Sequence, residues 1–256
     1  THKYYYIIIL TMAVSFPQNP SDGDLFVSGN LYFEFSNDTW NSLTTGISTV
    51  TDFTVTDKLK VNTITSDQNN ITYGKNSAPL VANDDGSISI GSSAALDSTF
   101  NENSIVIGNQ AALSAASLND SVIIGDSAGA LITSGINSCT FIGRSSGVRA
   151  TGIYNTYLGV VAGQGVNICS GSYNTGLGPL SLSKIDSTSS NNTAAGAASL
   201  NALTIANDNS CFGVLSGEKI TTGSKNTFIG FAAGKVTETG DGNVAIGWNA
   251  TVPDTK

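Results

Sequence analysis

The chain has 256 residues, a net charge of −8 and only 11 Lys and Arg against 19 Asp and Glu, with no basic window, so a nucleic-acid partner is excluded. Its single histidine, His2, and three cysteines without metal spacing, Cys139, Cys169 and Cys211, leave no cofactor or metal to expect, and no triad or His-base chemistry. With 12% charged residues, 28 glycines and abundant Ser, Thr and Asn, the composition is that of many short strands joined by tight turns.

Residues 4–10, YYYIIIL, are too short to span a bilayer and read as a strand that pairs with something, so no membrane insertion is expected. Met12 would serve as a natural start, which makes residues 1–11 an upstream extension. Residues 22–40, DGDLFVSGNLYFEFSNDTW, alternate Leu25 and Val27 with a Ser-Gly-Asn turn and then Leu31, Phe33 and Phe35, the pattern of a β-hairpin. Residues 1–45 are thus expected to form an attachment module. Residues 46–86, rich in Thr, Asn and Asp with weak alternation at Val55, Leu59, Val61 and Ile64, hold too little apolar material for a core of their own and read as an extended connector.

From residue 87 onward one phrase recurs. Aligning on its glycine gives Gly91, Gly108, Gly125, Gly143, Gly159, Gly178, Gly196, Gly213, Gly230 and Gly247, spaced by 16 to 19 residues. The residue before each glycine is apolar, and the residue three after it is always Ala or Ser, from Ala94 to Ala250. Four before it, the last six copies carry Asn155, Asn174, Asn192, Asn209, Asn226 and Asn243. The alternation in Thr227-Phe228-Ile229 has the period of a strand, and ten in-register copies predict an all-β, parallel β-solenoid over residues 87–256 with coils of about 17 residues. A second apolar column, Leu113, Leu131, Val148, Val166, Ile185, Leu203, Ile220 and Val236, is expected to face the same core. Stacked Asn side chains are expected to bond along the solenoid. Positions two before the glycine, among them Val106, Ile123, Phe141, Tyr157 and Phe228 together with Cys211 and Ala245, are expected to point outward as an inter-subunit stripe covered by further copies of the chain.

Residues 243–251, NVAIGWNAT, and 103–112, NSIVIGNQAA, resemble the head repeat of trimeric autotransporter adhesins of the YadA type, and the longer Asn-Thr-x-Ile-Gly form is similar to repeats of phage and viral fibre proteins. The resemblance covers about two-thirds of the chain and implies a left-handed β-roll packed as a homotrimer. The opening FPQNPSDGDLFVSGNLYFEF is similar to N-terminal modules of phage tail fibres. The chain shows no sustained heptads and no membrane-anchor barrel, and it ends just after the last coil. Those features tilt the expectation to a virion fibre whose partners are a virion protein docking the N-terminal module and a host-surface receptor or glycan. The alternative is a cell-surface adhesin or extracellular filament subunit.

Enzymatic readings weigh less. Hexapeptide-repeat acyltransferases need a solenoid histidine, and residues 87–256 hold none. Asp84 with Asp85, or Glu238 with Asp241, would be the carboxylate pairs of a polysaccharide-degrading tailspike, but Asn-Asp-Asp-Gly and Gly-Asp-Gly are turn sequences that lack a calcium-loop pattern. The column Thr140, Thr156, Thr175, Thr193 and Thr227 suggests an ice-binding face, an idea set aside because the column shares its face with the apolar residues expected inside. Asn37-Asp38-Thr39 and Asn70-Ile71-Thr72 match glycosylation sequons, as an Asn- and Thr-rich chain does by accident.

Overall fold

A computed structural model describes residues 86–253 except 99 and 187, and before them only the backbones of six short strands. The chain divides into two compact units, residues 1–63 and 64–256. In the first, β1 (Ile9–Leu10) pairs antiparallel with β5 (Phe53–Thr54). Separately, β2 (Leu25–Ser28), β3 (Leu31–Ser36) and β4 (Thr39–Ser42) form an antiparallel sheet in chain order. The expected hairpin is β2–β3, with Ser28 opposite Leu31; the sequence reading missed the third strand, which sets Trp40 opposite Phe35.

The second unit is a parallel β-solenoid, and among its described residues there is no helix. Its main sheet has eleven strands in chain order: β6 (Ile71–Tyr73), β7 (Ile88–Ile90), β9 (Ile105–Ile107), β11 (Val122–Ile124), β13 (Thr140–Ile142), β14 (Thr156–Leu158), β15 (Thr175–Leu177), β16 (Thr193–Ala195), β17 (Ser210–Phe212), β18 (Thr227–Ile229) and β19 (Val244–Ile246). A smaller parallel sheet joins β8 (Phe100–Glu102), β10 (Ser117–Asn119) and β12 (Ile136–Asn137) on the early coils. Strand β6 belongs to an eleventh copy of the phrase, Asn70-Ile71-Thr72-Tyr73-Gly74, with Gly74 seventeen residues before Gly91. It pairs in register with β7, Ile71 on Ile88 and Tyr73 on Ile90, so the solenoid sheet reaches back into the stretch read as connector.

The repeat glycines are the bends that let rungs stack. All ten have φ between +123° and +142°, a region that side chains rarely enter. At nine of them an added Cβ would lie 2.3–2.9 Å from the carbonyl of the next rung's glycine. Gly247 is the tenth, and there a Cβ would meet nothing within 4 Å.

The strands obey the expected period of two, but with the faces reversed. Every three-residue strand of the main sheet from β7 to β19 buries its middle residue and turns its outer two toward solvent. Val106, Ile123, Phe141, Tyr157 and Phe228 are therefore core, as are Cys211 and Ala245; they do not form an inter-subunit stripe. The physical reason is width: a three-residue strand between two bends offers one inward slot, filled by Val, Ile, Phe or Tyr on some rungs and by Ser, Gly, Ala or Cys on the others.

The opposite wall is shaped to match. Four residues after each repeat glycine, the chain holds Gly where the inward slot is large and a side chain where it is small. Phe141 faces Gly147, Tyr157 faces Gly163, Phe228 faces Gly234, Ile123 faces Gly129 and Cys211 faces Gly217. Gly176, by contrast, lies against Leu182, and Leu200 fills the rung of Ala194. Each coil thus fills a similar cross-section in its own way, as close packing requires. Backbone bonds tie this wall from rung to rung, for example Ala112 N–H to Ala128 O at 2.8 Å and Gly217 N–H to Ala233 O at 2.9 Å.

The second apolar column also needs correction. Val148, Ile185, Leu203 and Ile220 are buried, whereas Leu131, Val166 and Val236 are exposed and Leu113 is half-buried. The inward column lies seven residues after the glycine on every coil from Gly91 to Gly230 except that of Gly159, where Val166 holds this position and is exposed; Ala115, Ile132 and Thr237 take the slots that Leu113, Leu131 and Val236 do not reach. The small column three after the glycine is buried from Ala94 to Ala233, because any larger side chain there would occupy the space of the inward slot.

Candidate functional site: the outward face of the main sheet

The Asn column is a buried ladder. From Asn155 to Asn243, each side-chain Nδ2 donates to the Oδ1 of the Asn one rung earlier at 3.0–3.1 Å, starting with Asn174 on Asn155. The same Oδ1 also accepts from the later Asn backbone N–H at 2.9–3.1 Å. The second Nδ2 donor of the five Asn from Asn155 to Asn226 closes a turn by bonding a backbone carbonyl at 2.8–2.9 Å, as Asn209 does to Gly223. In earlier rungs the hydroxyls of Ser87, Ser104 and Ser121 accept the next rung's N–H in the same column. From Asn155 to Asn226 these side chains are buried and bonded within the solenoid, so this polar column specifies register.

Cys139, Cys169 and Cys211 are free, buried thiols whose burial pushes them up to about 11, 11 and 12 from an ordinary 9.0. A thiol so raised is protonated and poorly nucleophilic at neutral pH. Burial likewise holds the Tyr157 hydroxyl well above its ordinary range, with Cys169 and Cys139 adding to the rise. Both Nδ2 donors of the neighbouring Asn174 are already engaged, by Asn155 and Ser189, and the Tyr157 hydroxyl is left without a full hydrogen bond. The ring instead stacks on Phe141, centroids 5.3 Å apart. Among the described residues no group of His, Cys, Asp and Glu is arranged to hold a metal ion. Glu238 and Asp241 sit exposed on a bend, where the Asp241 carboxylate accepts the Ser224 N–H of the preceding rung at 2.7 Å. Asp84, Asp85, Asn37, Asn70 and His2 lie outside the described residues.

What the solenoid presents is its outward sheet face. The threonine column and the column before the glycine do share a face, but that face is turned to solvent, so burial gives no argument against an ice-binding array. Bulky neighbours do: Leu158, Leu177, Phe212 and Ile229 interrupt any hydroxyl lattice with a relief suited to packing. On the first four coils of the aligned phrase the residue after the glycine is polar, namely Ser92, Asn109, Asp126 and Arg144, and Asn109 Nδ2 bonds Asp126 Oδ1 at 3.0 Å. From Val160 on, that position turns apolar: Val160, Pro179, Ala197, Val214, Phe231 and Trp248.

Ten large apolar side chains consequently flank the glycine bend on the later coils: Leu158, Val160, Leu177, Leu180, Phe212, Val214, Ile229, Phe231, Ile246 and Trp248, each 38–75% exposed. Sequence reasoning named the apolar column before the glycine but placed it inside, and it missed the switch from polar to apolar after the glycine. The signal was readable: Ser, Asn, Asp and Arg give way to Val, Pro, Ala, Phe and Trp at one fixed position.

Compared with models of protein families, with curated proteins and with solved structures, the chain matches none. Among the described residues no helix is long and apolar enough to cross a membrane.

Proposed function

We propose that the protein is a structural fibre or spike subunit of a virion whose β-solenoid head assembles as a homotrimer and attaches to a host surface, with the N-terminal unit docking it to another virion protein. The observation that carries this reading is the apolar outward face on the later coils. Its ten side chains expose on the order of 1,000 Å², more than the roughly 300–600 Å² of the largest patch on a typical monomer. That area is also comparable to the ~800 Å² each partner gives to a standard interface. The resemblance of the Asn-x-x-Ile-Gly phrase to adhesin heads and fibre repeats supports three copies as the assembly. The buried ladders and inert core support a scaffold, and attachment by three shallow sites gains strength from avidity without any deep pocket.

Light scattering on the purified chain tests this. The expected mass is three times 26.2 kDa, and Phe231→Asp, which places a charge on the apolar face between the rungs of Val214 and Trp248, is expected to shift the assembly to a single 26.2 kDa chain with its β signal kept. A wild-type protein that is monomeric across the micromolar range contradicts the reading.

A further inference from the structure

A second surface lies at a different position of each coil, five residues before the repeat glycine, and it rests on the attachment function proposed above. Every described residue in this column has a left-handed backbone, and apart from two adjacent rungs it is Gly, Asn, Asp, Ser or Lys. The two exceptions are Tyr154 and Tyr173, at φ 58° and 60°. A large aromatic residue is a poor choice for a left-handed position, where Gly and Asn are favoured, so these rings are not placed there for the turn. Nor are they placed for the core, since they are 46% and 58% exposed.

The two rings stack on each other, centroids 5.0 Å apart and planes within 19°. The next rungs on both sides carry small polar residues. After Tyr173 come Asn191 and Asp208, both exposed, with Asn191 Nδ2 donating to Asp208 Oδ1 at 3.1 Å. Before Tyr154 comes Ser138, whose hydroxyl donates to Asn137 Oδ1 at 2.6 Å. The stack therefore ends in two ledges, each an aromatic ring bordered by hydroxyl, amide or carboxylate groups.

We propose that this column binds neutral pyranose glycans, a sugar ring laying its C–H face on Tyr173 or Tyr154 while its hydroxyls bond the adjoining Asn191, Asp208 and Ser138. An aromatic face with hydrogen-bonding groups at its border is the pairing an amphipathic sugar ring needs. The polarity decides the class: the charged groups that this column sets nearest the stack are the Asp120 and Asp208 carboxylates, two rungs away on either side, and the chain carries −8, which disfavours acidic saccharides.

The test uses the full chain with neutral tetrasaccharides of glucose, galactose or N-acetylglucosamine, and sialyllactose as an acidic control, read by saturation-transfer NMR. At least one neutral saccharide is expected to bind, and Tyr154→Asn/Tyr173→Asn to weaken it by about tenfold or more. Asn is at home in this column, so the variant is expected to melt no lower than the wild type. The proposal is overturned if no neutral saccharide binds, if the double variant binds as well as the wild type, or if only the acidic control binds. Light scattering on the same samples separates the two readings. A monomer that binds sugar in a tyrosine-dependent way refutes the trimer alone, and a trimer that binds none refutes the glycan site alone.

Discussion

Gly143→Ala is expected to destabilise the solenoid by about 3 kcal/mol or more, while Gly247→Ala costs no more than the ~1–3 kcal/mol of a strained backbone. The two glycines share a conformation, φ +129° and +123°. They differ in what stands beside them. A Cβ on Gly143 would lie 2.5 Å from the Gly159 carbonyl oxygen and 2.6 Å from its carbon, whereas a Cβ on Gly247 meets nothing within 4 Å. Because the obstacle is backbone, relief requires the rungs to separate, which breaks hydrogen bonds such as Gly159 N–H to Ile142 O at 2.8 Å. Urea denaturation gives the two costs, and hydrogen exchange is expected to show faster opening around β13 and β14 in Gly143→Ala only. Equal effects of the two substitutions would mean that backbone conformation, and not rung contact, selects glycine.

The second large effect tests the matched walls. Leu182→Gly removes a fully buried side chain and is expected to cost about 2–5 kcal/mol, offset in part by relief of the left-handed backbone at φ 51°. Gly176→Phe alone overfills its rung, since even a Cβ there would sit 3.0 Å from Ser181 Oγ, 3.1 Å from Tyr157 and 3.5 Å from Leu182 Cδ1, and overpacking of this kind costs about 1–3 kcal/mol. Together the two changes write the pairing of Phe141 with Gly147 into the rung of β15. The new ring would lie beside Tyr157 much as Phe141 does. The double variant is expected to be more stable than the sum of the singles by about 2 kcal/mol, measured as a double-mutant cycle. Additive costs would show that the walls are not fitted to each other within a rung.

The sequence carried the fold class at once, because glycine spacing, the small column and the Asn column are each independent of the others and all obey one period. It did not carry the sign of the strand faces. Alternation says only that Thr227 and Ile229 lie opposite Phe228; it is silent on which side is dry. The missing sign was present six residues further on, where Gly234 follows Phe228 and Leu182 follows Gly176, since a residue and its space-filling counterpart must share an interior. The second apolar column slipped because large apolar residues do not mark the inward slot: Leu113, Leu131 and Val236 stand one or two residues short of the slot held by Ala115, Ile132 and Thr237, and Val166 is in register yet exposed. The eleventh rung went unread because its phrase, Asn-Ile-Thr-Tyr-Gly, ends on an aromatic residue where the aligned copies have mostly aliphatic ones. The candidate surface was half legible: an exposed apolar flank was foreseen, on the wrong residues.

Oxidative footprinting of the native assembly tests the central claim that the outward apolar face is hidden against sister copies. Phe212, Phe231 and Trp248 are expected to be protected in the wild-type assembly and labelled in Phe231→Asp at the two that remain, Phe212 and Trp248, while Phe141, Tyr157 and Phe228 stay protected in both. Labelling of Phe212, Phe231 and Trp248 in the wild type at the rate of the variant, or labelling of the inner three in either protein, would contradict the account.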